Sequence, residues 1–211
     1  MSRARSRAIA AIAVAALTLT GCATSQSSAN ETTKPSTSSV TVEDNNGSQT
    51  ISLPLTSVVA TDNRTFETLE SWGVELSAAA VALMPSTIGY KKDDSIIDLG
   101  NHNEPDLEAL VAVEPQLVVN GQRFTQFHDD IAKLAPDAVV LELDPREGQP
   151  LDAELKRQVT VLGEVFGKQA EAKKLADDLD AAVARVKAAY DPSQTVMAVT
   201  TSGGEIGYIA P

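Results

Sequence analysis

Cysteine is nearly absent from this chain: one thiol, Cys22, occurs in 211 residues. An intrachain disulfide is therefore impossible, and the fold must be stable by packing alone, even in an oxidising compartment. Histidine is scarce as well. His102 and His128 stand in separate segments with no His-rich stretch, a poor supply for a bare zinc or manganese ion that takes several imidazole and carboxylate ligands. Basic residues are outnumbered, 17 Lys and Arg against 29 Asp and Glu, for a net charge of −12. This balance argues against nucleic acid as a partner and against electrostatic attachment to anionic lipid; it reads as a solubilising exterior. Catalytic signatures are missing too: no G-x-S-x-G, no phosphate-cradling glycine loop and no H-E-x-x-H occur. The expectation is a protein that binds without chemistry, not an enzyme.

A membrane-spanning run is also lacking at the N-terminus. Ala8 to Leu19 is apolar but falls short of the roughly 20 residues a spanning helix needs. Behind Arg3, Arg5 and Arg7 it reads as a secretory signal, residues 1–21. Leu19-Thr20-Gly21-Cys22 resembles the lipobox of bacterial lipoproteins, in which a branched apolar residue and two small ones precede the cysteine that becomes the mature N-terminus. The resemblance implies a thioether-linked diacylglycerol on Cys22 and at least two acyl chains, palmitate among them, enough for stable anchoring where one chain is marginal. A free thiol behind an ordinary signal is the alternative. Cleavage removes three of the 17 basic residues and none of the 29 acidic ones, which takes the charge from −12 to −15.

Residues 23–50 are rich in Ser, Thr and Asn and hold almost no large apolar residues. They cannot offset the entropy of ordering, so 22–50 is expected to be a lipidated, disordered tether. From about Thr50 the texture changes to short apolar runs alternating with amphipathic segments, over about 160 residues, enough for one sizeable core.

The β-branched run Thr56–Thr61 predicts a strand; Asp62 and Asn63 are candidate N-caps for a helix through Phe66, Leu69 and Trp72 that Gly73 stops. Ala78–Met84 predicts a buried strand or helix, ended by Pro85. Asn103 or Glu104 can cap a helix with Pro105 in its first turn and Leu107, Leu110 and Val111 inward, and Leu117–Val119 then forms a strand up to Asn120-Gly121. Phe124, Phe127, Ile131 and Leu134 share one face of a helix that Pro136 ends. Ala138–Leu143 predicts the next strand. Leu155, Val159, Leu162 and Phe166 predict a helix closed by Gly167, and a longer one runs from about Gln169 to Tyr190. A strand opens within Thr195–Thr200, and Thr201–Glu205 reads as a turn. Strands and helices in alternation imply an α/β fold around a parallel sheet.

Gly100, the run Pro105-Asp106-Leu107-Glu108 and then Pro115-Gln116-Leu117-Val118-Val119 resemble the signature of the substrate-binding lipoproteins of iron-siderophore and cobalamin ABC importers. Within that family the resemblance is to siderophore binders of Gram-positive bacteria, and it runs from about Ile51 to the end. It implies a two-lobed protein: an N-terminal three-layer α/β lobe over 51–168, a rigid connecting helix over 169–191, and the start of a second lobe in 192–211. Family members continue for roughly another hundred residues, about one domain, so the sequence is expected to be cut short. The implied function is a monomeric, extracytoplasmic receptor, held to the outer face of the bacterial cytoplasmic membrane by its lipid, that binds a ferric siderophore and delivers it to an ABC permease with no cofactor beyond the lipid. The alternatives are a bare zinc or manganese ion, cobalamin or haem as ligand, or a structural envelope lipoprotein.

Ligands of parallel α/β layers bind beyond the carboxyl ends of the strands. The positions there are Asp62 and Asn63, the stretch around Tyr90, Asn101 to Asn103 and Asn120 to Phe124, and the ligand contacts expected among them are Asn63, Tyr90, Asn101, His102, Gln122, Arg123 and Phe124. Arg123 suits an anionic ferric complex, because guanidinium is a permanent, forked donor; the opposite reading pairs it with Asp129 or Asp130 on the surface. Relatives place an arginine straight after the loop glycine, where Gln122 intervenes here. Phe124 either walls the ligand or belongs to the core, Tyr90 faces an anion or water, and His128 is structural or exposed. Metabolic labelling tests the anchor: Cys22→Ala is expected to abolish palmitate incorporation and release the protein from the membrane fraction.

Overall fold

The computed structural model describes residues 38–195, 197–202 and 204–208; the expected signal peptide, Cys22 and the first part of the expected tether lie outside them. β1 (Ser38–Asp44) and β2 (Gly47–Leu53) form an antiparallel hairpin, which corrects the tether reading from Ser38 onward. Periodicity is the reason. Val40 and Val42 on one strand and Ile51 and Leu53 on the other alternate with polar residues around Asn45-Asn46-Gly47, a short hairpin turn with Gly47 at φ +116°. Val42 and Ile51 are buried, so a few apolar residues suffice when all fall on one face.

The chain continues through β3 (Val58–Ala60), α1 (Phe66–Ser71), β4 (Ala78–Ala79), β5 (Ile97–Asp98), β6 (Gly100–Asn101), β7 (Glu104–Pro105), α2 (Leu107–Ala112), β8 (Leu117–Asn120), α3 (His128–Leu134), β9 (Val139–Glu142), α4 (Leu151–Val165), α5 (Gln169–Ala189), β10 (Val199–Ser202) and β11 (Glu205–Tyr208). Five strands make one parallel sheet in the order β5-β4-β3-β8-β9. Period-two alternation gives the sheet two apolar faces. Val58, Ala60, Leu117, Val119 and Leu141 pack with Phe66 and Leu69 of α1 and Leu162 and Val165 of α4. On the other face Val59, Val118 and Val140 meet Leu110 of α2 and Ile131 of α3. The result is the expected three-layer α/β arrangement, with each of these large side chains contributing about 1.5–3 kcal/mol by burial.

Local chemistry sets the element ends. α1 closes where Gly73 takes φ +70°, with Val74 N–H returned to Leu69 O at 3.0 Å. Thr65, not Asp62 or Asn63, stands at its N-terminus. α2 is capped by Asp106, whose carboxylate accepts from Ala109 N–H at 2.8 Å. Asn103 and Glu104 do not cap it, and Pro105 lies in β7 paired with Gly100. The single helix expected from Phe124 to Leu134 is instead a 3-10 turn over Gln122–Phe127 followed by α3. Three residues per turn set Phe124 and Phe127 above one another, edge to face at 6.1 Å between centroids.

α5 runs for 21 residues and leans on α4 through buried Ala172 and an ion pair of 2.5 Å between Lys156 and Asp180. Its far end exposes Val186, and Tyr190 beyond it is exposed too. β10 and β11 pair as an antiparallel hairpin with Ser202 opposite Glu205, and Val199, Ile206 and Tyr208 are exposed.

Glu154, buried on α4, receives Arg146 at 3.0 and 2.6 Å and Arg157 at 3.1 Å. The Arg146 hydrogen bonds lead, and with Arg157 they outweigh burial and hold its carboxyl at about 2. A carboxyl whose folded pKa is depressed stabilises above its unfolded value, about 4.5, and loses that contribution as pH falls toward 2. Glu154→Gln is therefore expected to lower the thermal midpoint at neutral pH and to flatten its decline between about pH 4.5 and 2, as followed by circular dichroism.

Candidate ligand-binding site

In the sheet order, β3 leads outward to β4 and β5 on one side and sits beside β8 and β9 on the other. The chain thus reverses its direction of travel between β3 and β8, and a crevice opens beyond their carboxyl ends. Thr61, Asn63, Leu83, His102, Gln122, Arg123 and Phe124 line a pocket of about 190 Å³ there. Five of the seven residues expected at the site meet in it.

Arg123 projects from the turn after β8. One guanidinium nitrogen lies 2.9 Å from His102 Nε2, so the side chain turns to the loop between β6 and β7 and not to Asp129 or Asp130. A guanidinium only donates, so the imidazole nitrogen accepts in this contact, and the permanent positive charge of Arg123 is not neutralised by a carboxylate there. Gln126 Nε2 ties the two segments by donating to His102 O at 3.1 Å and Arg123 O at 2.8 Å. Phe124 is 1% exposed; it belongs to the core while lining the pocket. Asn63 is exposed at the rim.

Two expected residues lie elsewhere. Asn101 turns its Oδ1 back to Asn103 N–H at 2.9 Å and does not line the pocket. Tyr90 lies at the opposite, amino end of the strands, against a hollow of about 700 Å³ formed with Val74–Ile97 segments, and its hydroxyl donates to Val74 O. Burial, assisted by the charge of Glu70, raises its pKa. A second hollow at that end, about 560 Å³, takes in Trp72 and Val165. Both are bounded by strand-entry turns and are remote from the crevice. His128 is structural in part, with Nδ1 3.1 Å from Glu142 Oε1.

To Asp62 and the stretch from Asn120, which lie among the expected strand-end positions, the structure adds Arg64, Asp144 and Gln158, which sequence reasoning missed. Asp62, 1% exposed, accepts Arg64 Nε and Nη2, each at 3.1 Å, and Gln158 Nε2 at 3.0 Å. Arg64 also bonds Asp144. Burial pulls the Arg64 pKa down, and the hydrogen bonds and charges of Asp62 and Asp144 reverse this, leaving it raised. Gly121 lies against the Asp62 carboxylate, and Gln122 follows at φ +56°, a left-handed backbone that costs an L residue about 1–2 kcal/mol. Asn120 links Thr61 Oγ1 at 2.7 Å to Glu142 Oε1 at 2.7 Å and reaches Phe124 O at 3.3 Å. The signal available was an Asp-x-Arg pair directly after a predicted strand, at the end where ligands bind.

A three-layer parallel lobe with Arg123 in the crevice at its strand switch point has the architecture in which parallel α/β folds place ligands. The chain belongs to the periplasmic binding protein family, whose model matches residues 58–211. It is 30% identical over 184 residues to the ferric-anguibactin-binding protein FatB of Vibrio anguillarum, covering 86% of this chain and 56% of FatB. Against the petrobactin-binding protein YclQ of Bacillus subtilis the figures are 23% over 204 residues, 94% and 62%. Among solved structures, the catecholate-siderophore binding protein VctP of Vibrio cholerae superposes with a TM-score of 0.70 at 23% identity, over 82% of this chain and 61% of that one. The chain thus spans less than two thirds of the length of these relatives. Among the described residues no helix is long and apolar enough to cross a membrane.

Gly121 offers a test of the crevice geometry. A Cβ there would sit 2.5 Å from Asp62 Oδ2 and 2.6 Å from its Cγ. Gly121→Ala is expected to cost about 1–3 kcal/mol, the range for overpacking, measured as a lower urea midpoint with unchanged slope.

Proposed function

We propose that this chain supplies one side of the binding cleft of a receptor for an anionic ferric siderophore, serving an ABC importer. The observation that carries the reading is Arg123, a guanidinium in the switch-point pocket, 2.9 Å from His102 and joined there by the amides of Asn63 and Gln122. Forked N–H donors backed by neutral donors suit the clustered oxygens of catecholate or carboxylate ligands. Kinship with FatB and YclQ supports the same ligand class. A pocket of about 190 Å³ is smaller than the roughly 300–1,000 Å³ of complete ligand sites, in keeping with one side of a clamp whose other side a second lobe supplies.

The receptor is tethered by lipidated Cys22 outside the cytoplasmic membrane, works as a monomer, and hands its cargo to the permease without altering it. Residues 51–168 form the lobe, with the hairpin from Ser38 as part of it, residues 169–191 the connecting helix, and 192–211 the entry to the second lobe. A bare metal ion is the second reading. A permanent cation beside His102 opposes it electrostatically, whereas iron already wrapped in an anionic chelator is attracted.

Equilibrium dialysis against radio-iron-loaded petrobactin and anguibactin tests the proposal. Weak, saturable binding of at least one complex is expected. Arg123→Ala should weaken it at least about tenfold, some 1.4 kcal/mol. Absence of binding, or binding indifferent to Arg123, would remove the assignment.

A further inference from the structure

The loop that carries Arg123 is gripped from outside the pocket. Gln122 N–H donates to both oxygens of the Asp144 carboxylate, at 3.1 and 2.9 Å, and this contact fixes the left-handed residue immediately before Arg123. Asp144 is itself held on its far side. Its carbonyl oxygen accepts Asn45 Nδ2 at 3.0 Å and Arg157 Nη2 at 3.0 Å, while Arg157 also donates to Asn45 Oδ1 at 2.8 Å. Two residues upstream, Glu142 N–H donates to Asp44 Oδ2 at 3.0 Å and Glu142 O accepts Asn45 N–H at 2.9 Å. The turn of the N-terminal hairpin therefore fastens the 142–144 segment on one side, and that segment fastens the binding loop on the other.

We infer that Asp144 is a positioning residue for Arg123 and that the hairpin turn, Asp44–Asn46, is its outer anchor. The inference rests on Arg123 being the ligand contact, and it deepens that reading: affinity depends on residues about 80 positions away in sequence that touch no ligand, the distance that separates Asn45 from Arg123. A carboxylate suits the task because it accepts from a backbone N–H and from Arg64 at once, and charge-assisted bonds hold geometry better than neutral ones. The hairpin turn supplies the rigidity that a strand-end loop lacks.

Amide hydrogen exchange on the full chain, read by mass spectrometry, tests this without a ligand. Asp144→Asn is expected to speed exchange in residues 121–126 about tenfold, a local opening, with β3 and β8 unchanged. Asn45→Ala, which leaves the Asp144 charge in place, should act in the same direction and serves if the first variant does not fold. Unchanged loop exchange in both variants, or a rise spread equally over β3 and β8, would overturn the inference. A second arm uses dialysis with ferric petrobactin: Asp144→Asn should weaken binding in the wild-type background and add nothing to Arg123→Ala, because both act through one side chain. Additive losses would also overturn it. If Arg123→Ala leaves affinity unchanged, the pocket assignment falls while the exchange result still stands or fails by itself.

Discussion

Asp62 places a carboxylate at the end of the central strand with 1% of its surface in water, and an ion so buried costs several kcal/mol unless it is paired and hydrogen-bonded. Much of the binding end follows from meeting that demand. The fork of Arg64 arrives from the turn after β3 and the amide of Gln158 from α4. The same carboxylate occupies the space beside Gly121, so β8 can pass close to β3 only with hydrogen as the side chain there. Arg64, drawn in by Asp62, shares its Nη2 between Asp62 and Asp144 after β9. Three strand ends and a helix are thus joined around one charge, and the crevice takes its shape from their junction.

The alternation of strands and helices was legible because parallel sheets buried on both faces write themselves as short apolar runs, such as Leu117–Val119 and Val139–Leu141. The switch point followed from topology, and with it the gathering of Asn63, His102, Gln122, Arg123 and Phe124. The β1–β2 hairpin was hidden by composition: averaged over residues 23–50, polarity outweighs the few apolar side chains, and only their period reveals a buried face. Tyr90 was placed at the wrong end because Ala78–Met84 is a strand for only two residues before turning into a 3-10 helix, so the chain after it doubles back toward the amino ends. Asp144 and Arg64 were unreadable for another reason. Their roles arise from a long-range meeting, and nothing local in the loop after β9 announces that its first carboxylate will hold a backbone amide after β8.

The charge pattern has two scales. The whole chain is strongly acidic, which keeps it soluble, yet the acids near the crevice are already engaged: Asp62 and Asp144 by Arg64, Glu142 by Asn120 and Asn46. Arg123 instead faces an imidazole. For the anionic ligand proposed, the net charge of the chain acts at long range and is screened by salt, whereas the charge of Arg123 acts at contact and is screened less.

α5 is anchored near its beginning and travels about 30 Å at 1.5 Å per residue. Such a rod is a lever. A tilt of about 5° at the Ala172 contact displaces its far end by roughly 2 Å, from the length of helix beyond that contact, while a side-chain adjustment of less than 1 Å suffices at the fulcrum. Small changes in packing between α4 and α5 are therefore magnified on the way to Tyr190, and substitutions at Gly163 or Ala172 would re-aim everything that the helix carries without altering the crevice itself.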